Sequence, residues 1–289
     1  MTNYSMSLSK NQQALLLELY TPYKTELDNV HVLFQAQVDN VVLIFYKSGT
    51  LVLQGDYLAE LKRIKVRLGL TNFSAIGSDE VGTGDVFGPI VVCSAYVKGS
   101  DIEVLELMGV KDSKAMTDRQ IVELAPKLTK MLTHSVLILK PEKYNEMIRR
   151  GYNMNKIKAF LHNQAILLTT QKIKEQGEDK APVIVDQFCE PRLYYNYLRD
   201  EPNVYREISF YTKAESIHLS VAAASIIARY AFLAKIQQFS KFIGLRLQKG
   251  AGVEVDKQLV KIYKDKGYDA LRPITKLNFR NLKKNEIHP

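Results

Sequence analysis

The chain has 289 residues, 46% hydrophobic and 25% charged, a balance that excludes a fibrous or globally disordered chain and leaves room for about two domains. Its 40 Lys and Arg against 31 Asp and Glu give a net charge of +9, which favours a polyanionic partner, nucleic acid first. Only Cys93 and Cys189 occur, excluding a disulfide scaffold or a four-thiolate zinc site and suiting a reducing cytoplasm.

Residues 8–22 predict a helix, with Ser9 as N-cap and Gln12 completing a capping box. Strand-like runs follow at Val30–Gln37 and Asn40–Tyr46, then the Ser48-Gly49 turn and a third run, Thr50–Gln54. Residues 56–68 pattern as a helix in which Lys62, Arg63, Lys65 and Arg67 alternate with apolar positions. Gly69–Asn72 is the expected boundary, dividing the chain into 1–70 and 71–289. Beyond it, predicted strands Phe73–Asp79, Val86–Val97, His134–Lys140, Pro182–Asp186 and Glu207–Tyr211 alternate with helices near 117–132, 155–175 and 213–239. That is an α/β layout. Apolar runs such as Pro89–Cys93 are shorter than the roughly 20 residues of a bilayer span. The start lacks a basic then apolar segment, so no secretory signal and no membrane association are expected.

The sharpest local feature is Ser78-Asp79-Glu80-Val81-Gly82-Thr83-Gly84-Asp85. An apolar strand runs into two adjacent carboxylates, then a glycine turn. Carboxylates buried at a strand end need compensation, and a hard divalent cation supplies it. The bland alternative is an acidic turn that solvates itself. Successive strand residues point to opposite faces, so Asp79 and Glu80 serve one site only if the pleat breaks there. A second apolar strand, Val183-Ile184-Val185, ends in Asp186, and a helical turn after it would return Glu190 to its side. The alternative for Asp186 is a helix cap. Small residues in the stretch from Lys213 to Arg229 predict a helix packed closely on a sheet. Lys213, Glu215 and His218 open that stretch, where Glu215 is a further candidate acid and His218 a candidate ligand or cap.

The octapeptide, Asp112-Ser113-Lys114, the run Tyr152-Asn153-Met154-Asn155-Lys156-Ile157-Lys158, Val-Asp-Gln-Phe at 185–188 and the Lys-Ala-Glu-Ser to Ala-Ala-Ala-Ser-Ile-Ile-Ala-Arg stretch together resemble bacterial ribonuclease HIII, of the type 2 ribonuclease H family. The resemblance covers about 73–285, and Gly-Thr-Gly in place of a Gly-Arg/Lys-Gly turn points to type HIII. It implies a ribonuclease H-like mixed sheet flanked by helices, preceded by a small TBP-like α+β substrate-binding domain. It implies metal-dependent endonucleolytic cleavage of the RNA strand of RNA–DNA hybrids, with Mg²⁺ or Mn²⁺, two ions expected, and 5′-phosphate products. The family's acidic quartet falls on Asp79, Glu80, Asp186 and Glu190, with Glu215 the rival for the fourth place. Gly82, Thr83 and Gly84 are expected at the RNA strand. Lys111, Lys114, Asn153, Asn155 and Lys156 are expected at phosphates or sugars, and Tyr46, Lys47 and Lys62 at the hybrid from the N-terminal domain. The chain is expected to be a cytoplasmic monomer. The rival readings are a type HII-like enzyme that incises at single ribonucleotides, a non-catalytic hybrid-binding module, and a generic α/β domain with unrelated acidic caps.

Overall fold

The computed structural model describes residues 3–26, 29–69 and 73–288, and the chain divides into two compact units, 1–72 and 73–289. Within the expected boundary Gly69–Asn72, positions 70–72 lie outside the described residues.

In the first unit, β1 (Asn3–Ser7), β2 (Lys24–Thr25), β3 (Val32–Val38), β4 (Val41–Tyr46) and β5 (Thr50–Gly55) form an antiparallel sheet ordered β1-β5-β4-β3-β2. Alternation puts Leu43, Phe45, Leu51 and Leu53 on one face, packed with Leu16 and Tyr20 of α1 (Lys10–Tyr20) and Leu61 and Ile64 of α2 (Leu58–Arg67). Val42, Ile44 and Tyr46 lie on the other face. The Ser9–Gln12 capping box opens α1 as predicted. Strands β1 and β2 carry no predicted pattern; β1 is a polar edge strand that anchors through Met6.

In the second unit, β6 (Ala75–Val81), β7 (Ile90–Val97), β8 (His134–Leu139), β9 (Val183–Asp186) and β10 (Ile208–Tyr211) form a mixed sheet ordered β10-β9-β6-β7-β8. Strand β6 pairs antiparallel with β7 and parallel with β9. The intervening helices are α3 (Ile102–Leu107), α4 (Asp118–Met131), α5 (Pro141–Arg149), α6 (Met154–Glu175) and α7 (Pro191–Tyr197). They are followed by α8 (Leu219–Ile243), α9 (Val253–Lys266), α10 (Tyr268–Leu271) and α11 (Arg280–Lys284). Odd-numbered β7 residues Val91, Cys93, Ala95 and Val97 face α8; Tyr96, on the reverse face, meets Ile166 and Ile173 of α6. One helix is therefore clamped on each side of β6 and β7.

Helix α8 has the length and apolarity of a bilayer span, but its Val221–Ala228 stretch is buried against the sheet and α4. Its small residues allow that approach. Gly77 completes it: a Cβ there would lie 2.2 Å from backbone atoms of Ser220 and Val221. We expect Gly77→Ala to cost about 3 kcal/mol or more in denaturant unfolding, since helix or strand must shift. Gly84→Ala, with open space at its Cβ, should stay within about 0.5 kcal/mol of the parent.

Candidate active site

The parallel register of β6 and β9 pairs Gly77 with Ile184 and Ser78 with Val185. One step further along both strands stand Asp79 and Asp186, side by side on the face that carries α8. The Asp79 carboxyl accepts from Ser225 of α8 and, through Oδ1, from the Glu80 amide at 2.8 Å. Burial, with the Glu80 and Asp186 charges adding to it, pushes Asp79 up to about 7 against those hydrogen bonds. Oδ1 of Asp186 accepts from the Ala214 amide at 3.0 Å, so this acid also caps the short helical turn Ala214–Ser216. Lys213 enters that turn with φ 57° and is exposed.

Glu80 corrects the expectation of a broken pleat. Strand β6 continues in register through Glu80 and Val81, opposite Val92 and Val91. Glu80 therefore points to the α6 face, away from Asp79. There Oε1 accepts from Lys158 Nζ and Oε2 from His162 Nε2, both at 2.9 Å. His162 Nδ1 lies 2.8 Å from Ser78 Oγ, which donates to the Cys93 carbonyl. Burial raises the Glu80 pKa, but His162 and Lys158 outweigh it and hold the carboxyl at about 2. Lys158 stands in the 152–158 run but drew no role of its own from the sequence, and neither did His162, although their i,i+4 spacing on one helix is a readable signal.

The glycine turn is pinned from behind. Gly82 has φ 96°, and a Cβ there would lie 2.2 Å from the Pro89 carbonyl. Asp85 Oδ1 accepts from the Gly250 amide at 2.6 Å. Lys276, fully buried, donates from Nζ to the carbonyls of Asp85 and Gly88, each at 2.7 Å. Burial pushes this ammonium down to about 7, against the pull of Asp85. Thr83 is half-buried and Gly84 exposed at the tip.

A third segment comes from the loop after α3. Ser113 Oγ bonds Ser225 Oγ at 2.8 Å, so a hydroxyl chain links the Asp112-Ser113-Lys114 turn to Asp79. Arg229 of α8 fixes the same loop through the Ser113 and Met116 carbonyls and Asp118, which also pairs with Lys249. Lys114 is exposed. Burial opposes its charge, but Asp79, Glu215, Asp112 and Asp186 together raise its pKa, which places Glu215 in the same field.

The remaining candidates separate. The chain from Asp186 to Glu190 forms no helical turn; α7 starts only after Glu190, which is exposed and meets Gln187 at 3.5 Å. His218 is spent on structure: Nδ1 accepts from the Ser220 amide and Nε2 lies 2.8 Å from the Phe73 carbonyl. Asn153 caps α6 through the Lys156 amide and reaches Tyr197 Oη, while Lys156 Nζ sits 4.3 Å over the Tyr152 ring. Asn155 is half-buried on the first turn of α6, and Lys111 is exposed beside the loop that carries Lys114. In the first unit Tyr46 is half-buried and Lys47 exposed; the Lys62 side chain lies outside the described residues.

Residues 76–282 match the family model of ribonuclease HII. The chain is 46% identical over 290 residues to the ribonuclease HIII of Phytoplasma mali (strain AT), covering 99% of each. Its fold matches a crystal structure of Bst-RNase HIII in complex with Mn²⁺ with a TM-score of 0.75, at 36% identity over 99% of this chain and 98% of that one. The chain belongs to the ribonuclease HIII family. The ribonuclease H2 from Pyrococcus horikoshii OT3 also matches, with a TM-score of 0.60 at 26% identity, but spans only 74% of this chain while 97% of its own length is covered.

As a ribonuclease HIII, the chain offers an all-oxygen donor set suited to a hard divalent cation. Burial, with the charges of Glu80 and Asp186 adding to it, disfavours the Asp79 carboxylate, and such a cation would offset that cost. The site is not a finished cage: among the described residues no three His, Cys, Asp or Glu side chains converge as metal ligands, because β6 sends Glu80 to the other face.

An acid whose folded pKa lies above its unfolded value weakens the fold as pH rises between the two, here from about 4 to about 7. Asp79→Asn keeps the acceptor for Ser225 and loses the charge. In metal-free buffer it should be more stable than the parent at pH 8, by about 4 kcal/mol at most, with the gain fading towards pH 4 in thermal melts.

Proposed function

We propose that this chain is a divalent-metal-dependent endonuclease that hydrolyses the RNA strand of RNA–DNA hybrids, leaving a 3′-hydroxyl and a 5′-phosphate. The observation that carries the reading is the pair Asp79 and Asp186, held side by side at the ends of parallel strands within the field of Lys114. A pure binding module gains nothing by presenting paired carboxylates to a phosphate backbone.

Asp79 and Asp186 are the principal metal ligands in this reading, with Glu80 a third and Glu190 or Glu215 supplying a further carboxylate. Mg²⁺ or Mn²⁺, as a pair of ions when bound, would lower the pKa of the attacking water and neutralise charge building on the phosphoryl oxygens. The water attacks phosphorus and the bond from phosphorus to O3′ breaks. Asp79 and Asp186 fix where the scissile phosphate can sit. Lys114 offers an ammonium to that phosphate, and Ser113, Ser225 and Arg229 hold its loop against Asp79. Gly82, Thr83 and Gly84 approach the RNA strand, where the 2′-hydroxyl separates a ribose from a deoxyribose. Lys276 keeps that turn from relaxing. Lys111, Asn155 and Lys156 add contacts to the backbone, while Asn153 acts through the cap it gives α6.

Residues 1–70 serve as a hybrid-docking domain. Their seven basic and six acidic residues leave only +1, so contacts there are local, with Tyr46 and Lys47 on or beside the sheet face away from the helices. The enzyme works as a cytoplasmic monomer.

Asp79→Asn should lower cleavage of a long hybrid by roughly a thousandfold or more, the loss of about 4 kcal/mol of transition-state stabilisation. Survival within about tenfold defeats the assignment. The same assay, titrated with Mg²⁺ and Mn²⁺, should favour the long hybrid over a DNA duplex with a single ribonucleotide; the reverse order supports the type HII-like reading.

A further inference from the structure

Glu80 is the acid of the quartet that two buried basic side chains hold. Its side chain is 13% exposed, that of Lys158 10% and that of His162 0%. Both carboxylate oxygens accept a hydrogen bond at 2.9 Å, one from each partner. The partners are themselves held. His162 is fixed from behind by Ser78 at 2.8 Å, within the same strand as Glu80. Phe188, two residues past Asp186, stacks on the His162 ring with centroids 5.2 Å apart and lies 4.1 Å from Lys158 Nζ. Phe188 in turn packs edge-on against the buried Tyr194. The Val-Asp-Gln-Phe segment thus delivers an acid to one face of the sheet and the lid of this cage to the other.

A buried ammonium is retained only where something compensates it, and here the compensating charge is a carboxylate that a metal also wants. Resting on the metal-dependent reading above, we propose that Lys158 and His162, roofed by Phe188, are positioning residues that compete with divalent cations for Glu80 and so set the protein's metal affinity. With Glu80 neutralised from within, Asp79 and Asp186 present the uncompensated charge. A cation gains the third carboxylate only by sharing or displacing two buried donors. The protein alone therefore binds divalent ions weakly, and the added negative charge of a nucleic-acid phosphate is needed to fill the site.

The test is Mn²⁺ binding by calorimetry to the full chain without nucleic acid, for the parent and for Lys158→Met, whose unbranched apolar side chain can occupy the space beneath Phe188. The variant should bind Mn²⁺ at least roughly fivefold more tightly, because the Glu80 carboxylate loses its ammonium partner and is released to the cation. At saturating Mn²⁺ its kcat on a hybrid should fall at least roughly threefold, as Glu80 loses its aim, with KM for the hybrid within about twofold. Lys158→Arg, which keeps the charge, should bind Mn²⁺ within about twofold of the parent. In a Glu80→Gln background Lys158→Met should change the affinity less than about twofold, since no charge remains to contest.

Unchanged or weaker Mn²⁺ binding in folded Lys158→Met overturns the proposal, as does an effect that persists in Glu80→Gln. If circular dichroism shows that Lys158→Met does not fold, Lys158→Gln, whose amide still donates to Glu80, carries the same expectation and the same refutation. Mn²⁺ binding by the parent that Asp79→Asn leaves intact overturns both the metal assignment and this competition. A binding event that Asp79→Asn abolishes but Lys158 does not modulate overturns the competition alone.

Discussion

The second unit is organised around a repulsion. Asp79 and Asp186 end adjacent parallel strands, face the same helix, and are brought together by backbone register rather than by attraction between them. The sheet makes this unavoidable: once Ser78 pairs with Val185, the next residues must be neighbours on one face. Burial first, then the Glu80 and Asp186 charges, push the Asp79 carboxyl up against that placement. Much of the surrounding architecture follows. Gly77 lets α8 come close enough for Ser225 to donate to Asp79, and the same helix uses Ser225 and Arg229 to hold the loop that carries Lys114.

Two buried lysines do different jobs, one at the turn after β6 and one beside its α6 face. Lys276 has carbonyls for partners and no paired carboxylate; it ties Asp85 to Gly88 and keeps the glycine turn in a conformation that only Gly82, at positive φ, can enter. Lys158 has a carboxylate and a roof. The first spends a charge on backbone geometry. The second spends one on the charge state of an acid. Neither is a surface lysine of the kind that a basic net charge suggests.

How much of this was legible in the sequence depends on the range of the interaction. Local signals read well: the capping box at Ser9, the strands from β3 to β5, and all five strands of the second sheet to within a few residues. The family resemblance rested on motifs in order and did not depend on geometry. What failed were inferences that needed to know how one element meets another. A glycine turn after Glu80 suggested a broken pleat, yet the partner strand β7 is long enough to keep β6 regular through Val81. A helical turn was expected to return Glu190 to Asp186, yet residues 187–190 are not helical and α7 starts only at Pro191, beyond the whole span. Between ligand and cap the sequence left His218 open, because the Phe73 carbonyl that meets its Nε2 lies 145 positions away in the chain. Helices α9 to α11, with their charged surfaces, carried no predicted pattern, although Val255, Leu259 and Ile262 share one buried face of α9.

The strand-end pair Asp79 and Asp186 is the expected seat of divalent ions, ahead of the chain's exposed acidic residues. The most direct measurement is anomalous diffraction from crystals of the full chain soaked in Mn²⁺. A peak is expected within about 2.5 Å of carboxylate oxygens from both residues. Mn²⁺ bound elsewhere, with these two carboxylates untouched at saturating metal, would contradict it.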